Sequence, residues 1–301
     1  MKKTLKTLAA LSLVFGLAGC SNSGSASTEA AASGDAGSSV NPHGYVIEPL
    51  AAEQLPLSLP DVDVAVINGN YALEAKLNVT NPAIEIESFD AETSVKRTNY
   101  LAVKEGNEAT DKTQALVAAI TSSDVEDYIK KTYNGAVIPS FIDAGGKAVT
   151  AGEIPAAGDD NVIKVGATLV PHAEILKDIV APVLEEKGWK LEVVEFNDYV
   201  LPNTTLEEGE LDANYFQTLG YLNNQNEEAG LHLVAAVGVH IEPMGLYSAN
   251  LKALSDLPDG AHIAVPNDTD NYARAIDLLN ALGVLSNAPT DTEAVNTING
   301  K

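Results

Sequence analysis

The chain has 301 residues, 45% of them hydrophobic, and this is enough material for one large buried domain or for two lobes. Its formal net charge of −24 argues against a nucleic-acid partner, because phosphate contacts need clustered Lys and Arg. The single cysteine excludes an intrachain disulfide and a cysteine-based zinc cluster.

The N-terminus has the pattern of a lipoprotein signal. Three lysines within the first six residues precede an apolar run over 8–18. That run is too short to span a bilayer, which needs about 20 residues, and it is typical of a secretory signal. It ends in Leu17-Ala18-Gly19-Cys20, and small residues before a cysteine form the cleavage and lipidation box of bacterial lipoproteins. We therefore predict a signal peptide over 1–19 and a lipid on Cys20.

Two later segments are rich in small residues. Residues 21–40 are nearly all Ser, Gly and Ala with a few acids, so 20–40 is predicted to be a lipidated flexible linker. Residues 143–161 are rich in Gly, Ala and Pro and are predicted to link two folded halves. No apolar run of 18 residues follows the signal, so we expect the folded part of the chain to lie outside the bilayer.

Strands and helices alternate on both sides of the second linker. Before it, the pattern predicts strands at 62–67 and 100–103 and helices at 70–75, 113–120 and 125–131. After it, a strand at 162–170, a helix at 171–187 and a strand at 191–196 form a βαβ unit, and Gly188 is placed to end the helix. Strands at 232–239 and 262–265 and a helix at 270–282 follow. The predicted class is α/β, with ligands bound where strand ends open to a crevice.

Motifs of catalysis are not apparent in the sequence. It contains no Gly-x-Ser-x-Gly elbow, no His-Glu-x-x-His and no Walker loop. His172 and His240 each follow a strand, which makes metal binding conceivable, but no two histidines have the i, i+4 spacing of a helical site. We predict neither an enzyme nor a cofactor.

Polar and aromatic residues cluster instead at strand ends. Tyr199, Phe216 and Tyr221 can wall an apolar slot, and aromatic rings pack well on a thioether sulfur. Arg274, in the first turns of a helix, can bind a carboxylate bidentately, and asparagines such as Asn68 suit both ends of a zwitterion. Each of these residues also has a simpler explanation: core packing for the aromatics, a surface salt bridge for Arg274 and turn formation for the asparagines. Their shared location at strand ends favours a binding site.

Several motifs resemble the methionine-binding lipoproteins of ABC importers (NlpA/MetQ-like). The matching segments, which cover most of residues 41–285, are Ala65-Val66-Ile67-Asn68-Gly69-Asn70-Tyr71, Gly135-Ala136-Val137-Ile138-Pro139, Val165-Gly166-Ala167-Thr168, Pro171-His172-Ala173-Glu174, Phe196-Asn197-Asp198-Tyr199, Gly209-Glu210-Leu211-Asp212-Ala213-Asn214-Tyr215-Phe216-Gln217, His240-Ile241-Glu242-Pro243-Met244-Gly245-Leu246-Tyr247-Ser248 and Pro266-Asn267-Asp268.

The order of these segments differs from that of the family. There the Val-Gly-Ala-Thr segment comes first and the Gly-Ala-Val-Ile-Pro segment last, so this chain reads as a circular permutation. The resemblance implies a two-lobed, periplasmic-binding-protein-like (type II) fold with a ligand cleft between the lobes. In this numbering the parts are lobe two at 41–92 and 250–290, lobe one at 95–142 and 162–246, and a tail at 291–301.

The resemblance also implies a ligand site. Tyr199, Phe216 and Tyr221 match the aromatic residues that contact the methionine side chain in the family. Arg274 matches the residue that binds the ligand carboxylate. Polar groups near the amino-acid head group are matched by Asn41, Asn68 and Asn271. One position departs from the family, because Thr218 stands where the family often has a histidine.

The implied function is a membrane-anchored substrate-binding lipoprotein that faces outside the cytoplasm. It would bind L-methionine or a close relative and deliver it to an ABC permease and its ATPase. Two alternatives stay open. One is a binding protein for another apolar amino acid or a methionine-containing dipeptide, and the other is a surface interaction protein that has lost transport.

Overall fold

The computed structural model describes residues 39–77 and 82–301. The predicted signal peptide, Cys20 and nearly all of the first linker lie outside the described residues. Within them, the strands in chain order are β1 (Val46–Leu50), β2 (Val64–Ile67), β3 (Glu85–Ile86), β4 (Thr98–Lys104), β5 (Ile138–Ile142), β6 (Val162–Thr168), β7 (Lys190–Phe196), β8 (Ala213–Thr218), β9 (Leu233–Ile241), β10 (Gly245–Tyr247) and β11 (His262–Pro266).

Helices connect these strands. The α-helical segments are α1 (Leu55–Ser58), α2 (Gly69–Glu74), α3 (Ala91–Arg97), α4 (Asp111–Ile120), α5 (Ser123–Tyr133), α6 (Ala181–Glu185), α7 (Leu201–Glu207), α8 (Leu219–Ala229), α9 (Thr269–Ala281) and α10 (Val295–Ile298). Among the described residues, no helix is both long and apolar enough to cross a bilayer.

The strands form two mixed sheets, which we use to define two lobes. The five-stranded sheet of lobe two has the order β1-β11-β2-β10-β3, with β1, β11 and β2 parallel. The six-stranded sheet of lobe one has the order β5-β9-β4-β8-β6-β7, with β8, β6 and β7 parallel. The predicted α/β class is therefore confirmed.

The central strands of both sheets, such as β2 and β4, are buried on two faces, which explains their continuous apolar runs. In β2 all four side chains are buried. Val64 and Val66 pack into one cluster of lobe two, and Ala65 and Ile67 pack into another on the opposite face. The core of lobe one is formed mainly by β4, β6 and the helices that cover them.

The predicted βαβ unit is present, with one difference in its helix. The backbone is kinked at Val170 (φ −117°, ψ 132°), directly after β6, and the helical segment that follows contains a wider, π-type turn at Leu176–Val180 before α6. Gly188 follows with a φ of +85°, a conformation that only glycine adopts freely, and it ends the helix as predicted.

Residues 143–161 run between β5 and β6, which are separated by three strands in the same sheet. Strands lie about 4.8 Å apart, so this connection crosses roughly 19 Å. It is attached to lobe one on the way, because Trp189 Nε1 donates to Pro155 O (2.8 Å) and Ala157 N donates to Lys187 O (2.9 Å).

Two boundaries differ from the predicted ones. Strand β10 belongs to the five-stranded sheet, so the chain enters lobe two before Gly245 and not after residue 246. Residues 291–301 are not a loose tail, because Ile298 of α10 is fully buried in the core of lobe two and Asn299 bonds to the backbone of Ile47.

Candidate functional site

A small cavity of about 20 Å³ lies between the two sheets, at the carboxyl ends of several strands. Both lobes contribute to it. Its wall consists of Asn68, Gly69, Asn70, Asn99, Tyr199, Phe216, Gln217, Thr218, Tyr221, Glu242, Asn271 and Arg274.

One wall of the cavity is aromatic. The ring centroids of Tyr199, Phe216 and Tyr221 lie 5.7–6.0 Å from one another, in tilted or edge-to-face arrangements. Burial raises the pKa of the Tyr199 and Tyr221 hydroxyls, so these side chains are uncharged at neutral pH. The structure thus brings the three predicted aromatics together as a slot that suits an apolar or thioether side chain.

Arg274 faces the same cavity from α9 and is nearly fully buried. Its Nε lies 2.9 Å from each carboxylate oxygen of Glu87, and its Nη2 donates to Glu87 Oε2 (2.5 Å) and to Glu242 O (2.8 Å). Burial alone would lower the pKa of Arg274, but the carboxylates of Glu87, Asp270 and Glu242 together outweigh burial and the pKa is raised. Arg274 is therefore a fixed cation whose Nη1 donates no hydrogen bond to any described residue.

Asparagines from lobe two supply neutral polar groups. Asn68 Nδ2 donates to Asn271 Oδ1 (2.8 Å), and Asn271 Nδ2 donates in turn to the Asp268 carboxylate (3.0 Å). Tyr199 OH donates to Asn70 Oδ1 across the cleft (2.6 Å). Two buried atoms of the cavity wall have no partner among the described residues, the acceptor Asn68 Oδ1 and the donor Asn70 Nδ2. A buried polar atom without a partner is costly, so these atoms suit a ligand that both donates and accepts.

Asn41 is a correction to the predicted site. The structure does not bring it to the cavity wall. Its side chain donates to Tyr45 O (2.7 Å) and Ile298 O (3.0 Å) and accepts from Tyr45 N (2.9 Å). Both N–H groups and the oxygen of the Asn41 amide are thus hydrogen-bonded within lobe two, and these bonds join the two ends of the described chain.

Thr218, the residue that departs from the family pattern, connects the lobes. It caps α8, and its hydroxyl donates to Asp270 Oδ2 (3.0 Å) at the start of α9. The neighbouring Gly220 permits this approach, since a Cβ there would lie 2.3 Å from Asp270 Oδ1. Arg97 Nη1 also donates to Asp270 Oδ1 (3.2 Å). The cleft is thus closed by direct hydrogen bonds between lobes.

A buried polar cluster that the sequence pattern did not reveal adjoins the cavity. His172 and His240 come together although they are distant in sequence, and one nitrogen of each lies within 4.8 Å of the other and of a Glu242 oxygen. This set has the donor types of a metal site. Hydrogen bonds from protein groups already account for it, because Glu242 Oε1 lies 2.6 Å from His240 Nε2 and His172 Nε2 lies 3.1 Å from Asn99 Oδ1.

Glu87, Asn70 and Glu242 are therefore functional candidates that sequence reasoning missed. Glu242 had a usable signal, because it directly follows the buried strand β9. Glu87 had none, because it meets Arg274 only through the tertiary fold.

The profile of the NlpA lipoprotein family matches residues 27–141 and 163–298, which together make up most of the chain. The chain belongs to the NlpA lipoprotein family. The unmatched gap at 142–162 nearly coincides with the connection between β5 and β6.

Curated members of the NlpA family that resemble this chain carry names of methionine-binding lipoproteins. The methionine-binding lipoprotein MetQ of Bacillus subtilis is 40% identical over 159 residues, which are 52% of this chain and 57% of that protein. The D-methionine-binding lipoprotein MetQ of Escherichia coli K12 is 41% identical over 128 residues, or 42% of this chain and 47% of that protein. The chain thus spans about half the length of the curated relatives it matches.

Solved structures of similar proteins include a nutrient-binding protein from Burkholderia cenocepacia bound to methionine. It is 46% identical, with 40% of this chain and 50% of that chain covered and a TM-score of 0.39. Lipoprotein Tp32 of Treponema pallidum is 38% identical, with 42% and 52% covered and a TM-score of 0.40.

Proposed function

We propose that this NlpA-family protein is the substrate-binding lipoprotein of an ABC importer and that it captures L-methionine or a close relative between its lobes. One observation carries the proposal. An aromatic-walled cavity contains a buried acceptor, Asn68 Oδ1, and a buried donor, Asn70 Nδ2, that lack protein partners, beside the cation Arg274. These groups complement a zwitterion with an apolar side chain. The names of the relatives support the same ligand class.

In this proposal Tyr199, Phe216 and Tyr221 hold the ligand side chain, and Asn68, Asn271 and Arg274 bind its head group. The ligand would contact both lobes and so stabilise the closed cleft, the form that a permease would receive. Asn271 acts mainly through Asn68, because its own amide is bonded to Asn68 and Asp268.

Isothermal titration calorimetry tests the ligand. The panel contains L-methionine, D-methionine, norleucine, leucine and glycyl-methionine. We expect L-methionine to bind with a Kd of about 10 µM or tighter, near −7 kcal/mol. If every member of the panel binds no tighter than about 1 mM, the ligand class is wrong.

The same titration on variants tests Arg274. Arg274→Ala is expected to weaken L-methionine by about 2–4 kcal/mol, because it leaves the ligand carboxylate buried and unpaired. Arg274→Lys keeps a cation beside Glu87 and separates loss of binding from loss of folding. Lys130→Ala, which breaks an exposed i, i+4 ion pair on α5, is the control. An unchanged affinity in both Arg274 variants would remove Arg274 from the site.

The two alternatives have their own measurements. Thr218 motivates a different apolar amino acid or a dipeptide, and preference for norleucine or glycyl-methionine in the panel would favour them. Loss of transport would be indicated if deletion of the gene leaves growth on limiting methionine unchanged. Restoring the gene after a growth defect is the control.

The membrane attachment rests on the lipidation box. We propose that Cys20 carries the lipid and holds the protein on the outer side of a membrane. Metabolic labelling with a radioactive fatty acid should mark the wild-type protein and fail to mark Cys20→Ser. A labelled Cys20→Ser protein would contradict the assignment.

A further inference from the structure

Glu242 is a buried carboxylate in the cavity wall that the proposed ligand contacts leave without a role. Only 4% of the residue is exposed. Its Oε1 is hydrogen-bonded to His240 Nε2 and lies near His172 Nε2, whereas its Oε2 accepts no hydrogen bond from any described residue. Oε2 is on the side of Gly69, another wall residue, since a Cβ at Gly69 would lie 3.2 Å from it.

The two histidines that lie beside Glu242 are themselves hydrogen-bonded to hydroxyl groups. Tyr215 OH is hydrogen-bonded to His240 Nδ1, and Thr168 Oγ1 lies 2.8 Å from His172 Nδ1. When each hydroxyl donates to Nδ1, each imidazole is neutral and carries its proton on Nε2. His240 Nε2–H then donates to Glu242 Oε1, whereas His172 Nε2–H donates to Asn99 Oδ1 (3.1 Å) and lies 3.3 Å from Glu242 Oε1. Burial, with the proximity of His240, lowers the pKa of His172 well below its usual value, in agreement with the neutral form.

The Glu242 carboxylate is thus oriented by a hydrogen bond to Oε1, while Oε2 has no hydrogen-bond donor among the described residues. A buried carboxylate is stable only when cations or hydrogen-bond donors surround it. The nearest cation, Arg274, reaches the backbone oxygen of Glu242 and has its charge paired with the Glu87 carboxylate. Glu242 Oε2 is therefore complementary to a positively charged donor that enters the cavity.

We propose that Glu242 binds the ammonium group of the ligand, with Asn68 Oδ1 as the second acceptor, and that His240 is a positioning residue for it. This inference rests on the proposed amino-acid ligand and deepens it. It makes a free ammonium group a requirement for binding, and it defines the substrate class as amines that also carry a carboxylate. Deaminated and N-acylated analogues are excluded.

Calorimetry with matched ligands tests the requirement without any mutation. The probes are L-methionine, its deaminated analogue 4-(methylsulfanyl)butanoic acid and N-acetyl-L-methionine. We expect the two analogues to bind the wild-type protein at least about 100-fold more weakly, because they leave the Glu242 carboxylate unpaired. Wild-type affinities within about 3-fold of one another would overturn the inference and leave methionine binding intact.

Glu242→Gln, combined with these ligands, gives a cycle of protein variant against ligand analogue, because the amide keeps the shape of the Glu242 side chain and removes its charge. L-methionine should weaken about 30-fold or more, whereas the deaminated analogue should bind as well as before or better. Glu48→Gln is the control, since Glu48 also pairs with a histidine, His262, but lies on β1 and outside the cavity. Equal weakening of both ligands would mean that Glu242 is structural and would overturn the inference.

Tyr215→Phe tests the positioning role by removing the hydroxyl from His240. The affinity for L-methionine should fall several-fold and that for the deaminated analogue should not, a difference that general destabilisation would not produce.

Added Zn²⁺ tests the competing possibility that the Glu242 site binds a metal ion. Tighter methionine binding with Zn²⁺ in the wild type but not in Glu242→Gln would assign the carboxylate to a metal and overturn the inference. If wild-type protein binds no amine in the panel, the inference and the proposed function fail together.

Discussion

Arg274 has five N–H donors, and three of them are already bonded within the protein. Nε and one hydrogen of Nη2 donate to the Glu87 carboxylate, and the other hydrogen of Nη2 donates to Glu242 O. Only the two hydrogens of Nη1 remain for a ligand. The sequence predicts that Arg274 binds a carboxylate bidentately, and in the structure Glu87 occupies its Nε and Nη2 edge. In the proposed function a ligand carboxylate would share the cation with Glu87.

This sharing makes a prediction about Glu87→Gln. Without a ligand, the neutral amide leaves Arg274 buried with a weak partner, so the free energy of unfolding should fall by about 2–4 kcal/mol. A ligand carboxylate restores a counter-charge. We therefore expect L-methionine to raise the Tm of Glu87→Gln by more than it raises the Tm of the wild type, as measured by differential scanning calorimetry.

Glu92→Gln is the matched control, because Glu92 pairs with Lys96 on the surface, where an ion pair contributes little. Its Tm and its ligand response should follow the wild type. A smaller ligand response in Glu87→Gln than in the wild type would mean that Glu87 supports binding by orienting Arg274 and does not compete with the ligand.

Individual site residues were predictable when their chemistry was visible locally. Tyr199, Phe216 and Tyr221 are aromatics near strand ends, and the structure places them in one wall. The ion pair of Glu87 with Arg274 joins residues 187 positions apart, and the pairing of His172 with His240 also depends on the tertiary fold. Local periodicity contains no information on such pairs, so they appear only once the strands are ordered in sheets.

Helix α9 begins with an acid that combines structural and electrostatic roles. The Asp268 carboxylate accepts from Asn271 N (2.9 Å) and from Asn271 Nδ2, so it caps the helix and orients the asparagine that contacts Asn68. Burial raises the pKa of Asp268 to about 6, against the opposing effect of these hydrogen bonds. The charged form is thus less favourable in the folded protein than in the unfolded chain.

The sign of the pH effect follows from this shift. Between about pH 4 and pH 6 the folded protein holds a proton on Asp268 that the unfolded chain has lost, so stability falls as the pH rises. A shift of about two pKa units corresponds to about 2–3 kcal/mol by pH 7. Asp268→Asn keeps a capping group, and the difference in free energy of unfolding between variant and wild type should change by that amount from pH 4 to pH 7 in urea titrations. A difference independent of pH would refute the raised pKa.

Elements were predictable where periodicity was strong. The sequence places β6, β7, β11 and α9 within two residues of their observed ends. Strand β8 was not predicted, because all six of its side chains are buried and Asn214-Tyr215-Phe216-Gln217 mixes polar and aromatic residues without alternation. Its polar groups are satisfied by a network with Asn203 that only the packed structure supplies.

At the scale of the whole molecule, direct bonds across the cleft define how the lobes meet. Tyr71 OH donates to Asn197 O (3.2 Å), and Thr269 Oγ1 donates to Glu228 Oε1 (2.7 Å). With the bonds of Asp270 described above, they join the two lobes directly. A ligand therefore adds its contacts to an interface that the protein already forms. Because these hydrogen bonds join side chains and backbone groups in space, closure does not depend on the order of the two lobes along the chain.

We propose that this order is circularly permuted relative to the family. Two observations support the proposal. The family profile matches two segments that flank the connection between β5 and β6, and the aligned curated relatives each cover about half of the chain. The ends of the described chain are also adjacent, because Ser286 N donates to Val40 O (2.9 Å) and Asn41 Nδ2 reaches Ile298 O.

A rearranged chain tests this proposal. Residues 152–301 are joined through a Gly-Ser linker of about ten residues to residues 39–151, which opens the exposed connection at 151–152 and closes the present ends. Since the core and the cavity are unchanged, the Kd for L-methionine should stay within about 3-fold of that of residues 39–301. Opening the chain inside the buried strand β4 instead, between Leu101 and Ala102, should prevent folding. A rearranged protein that folds with the same Tm but has lost binding would mean that the present chain order is itself required for the site.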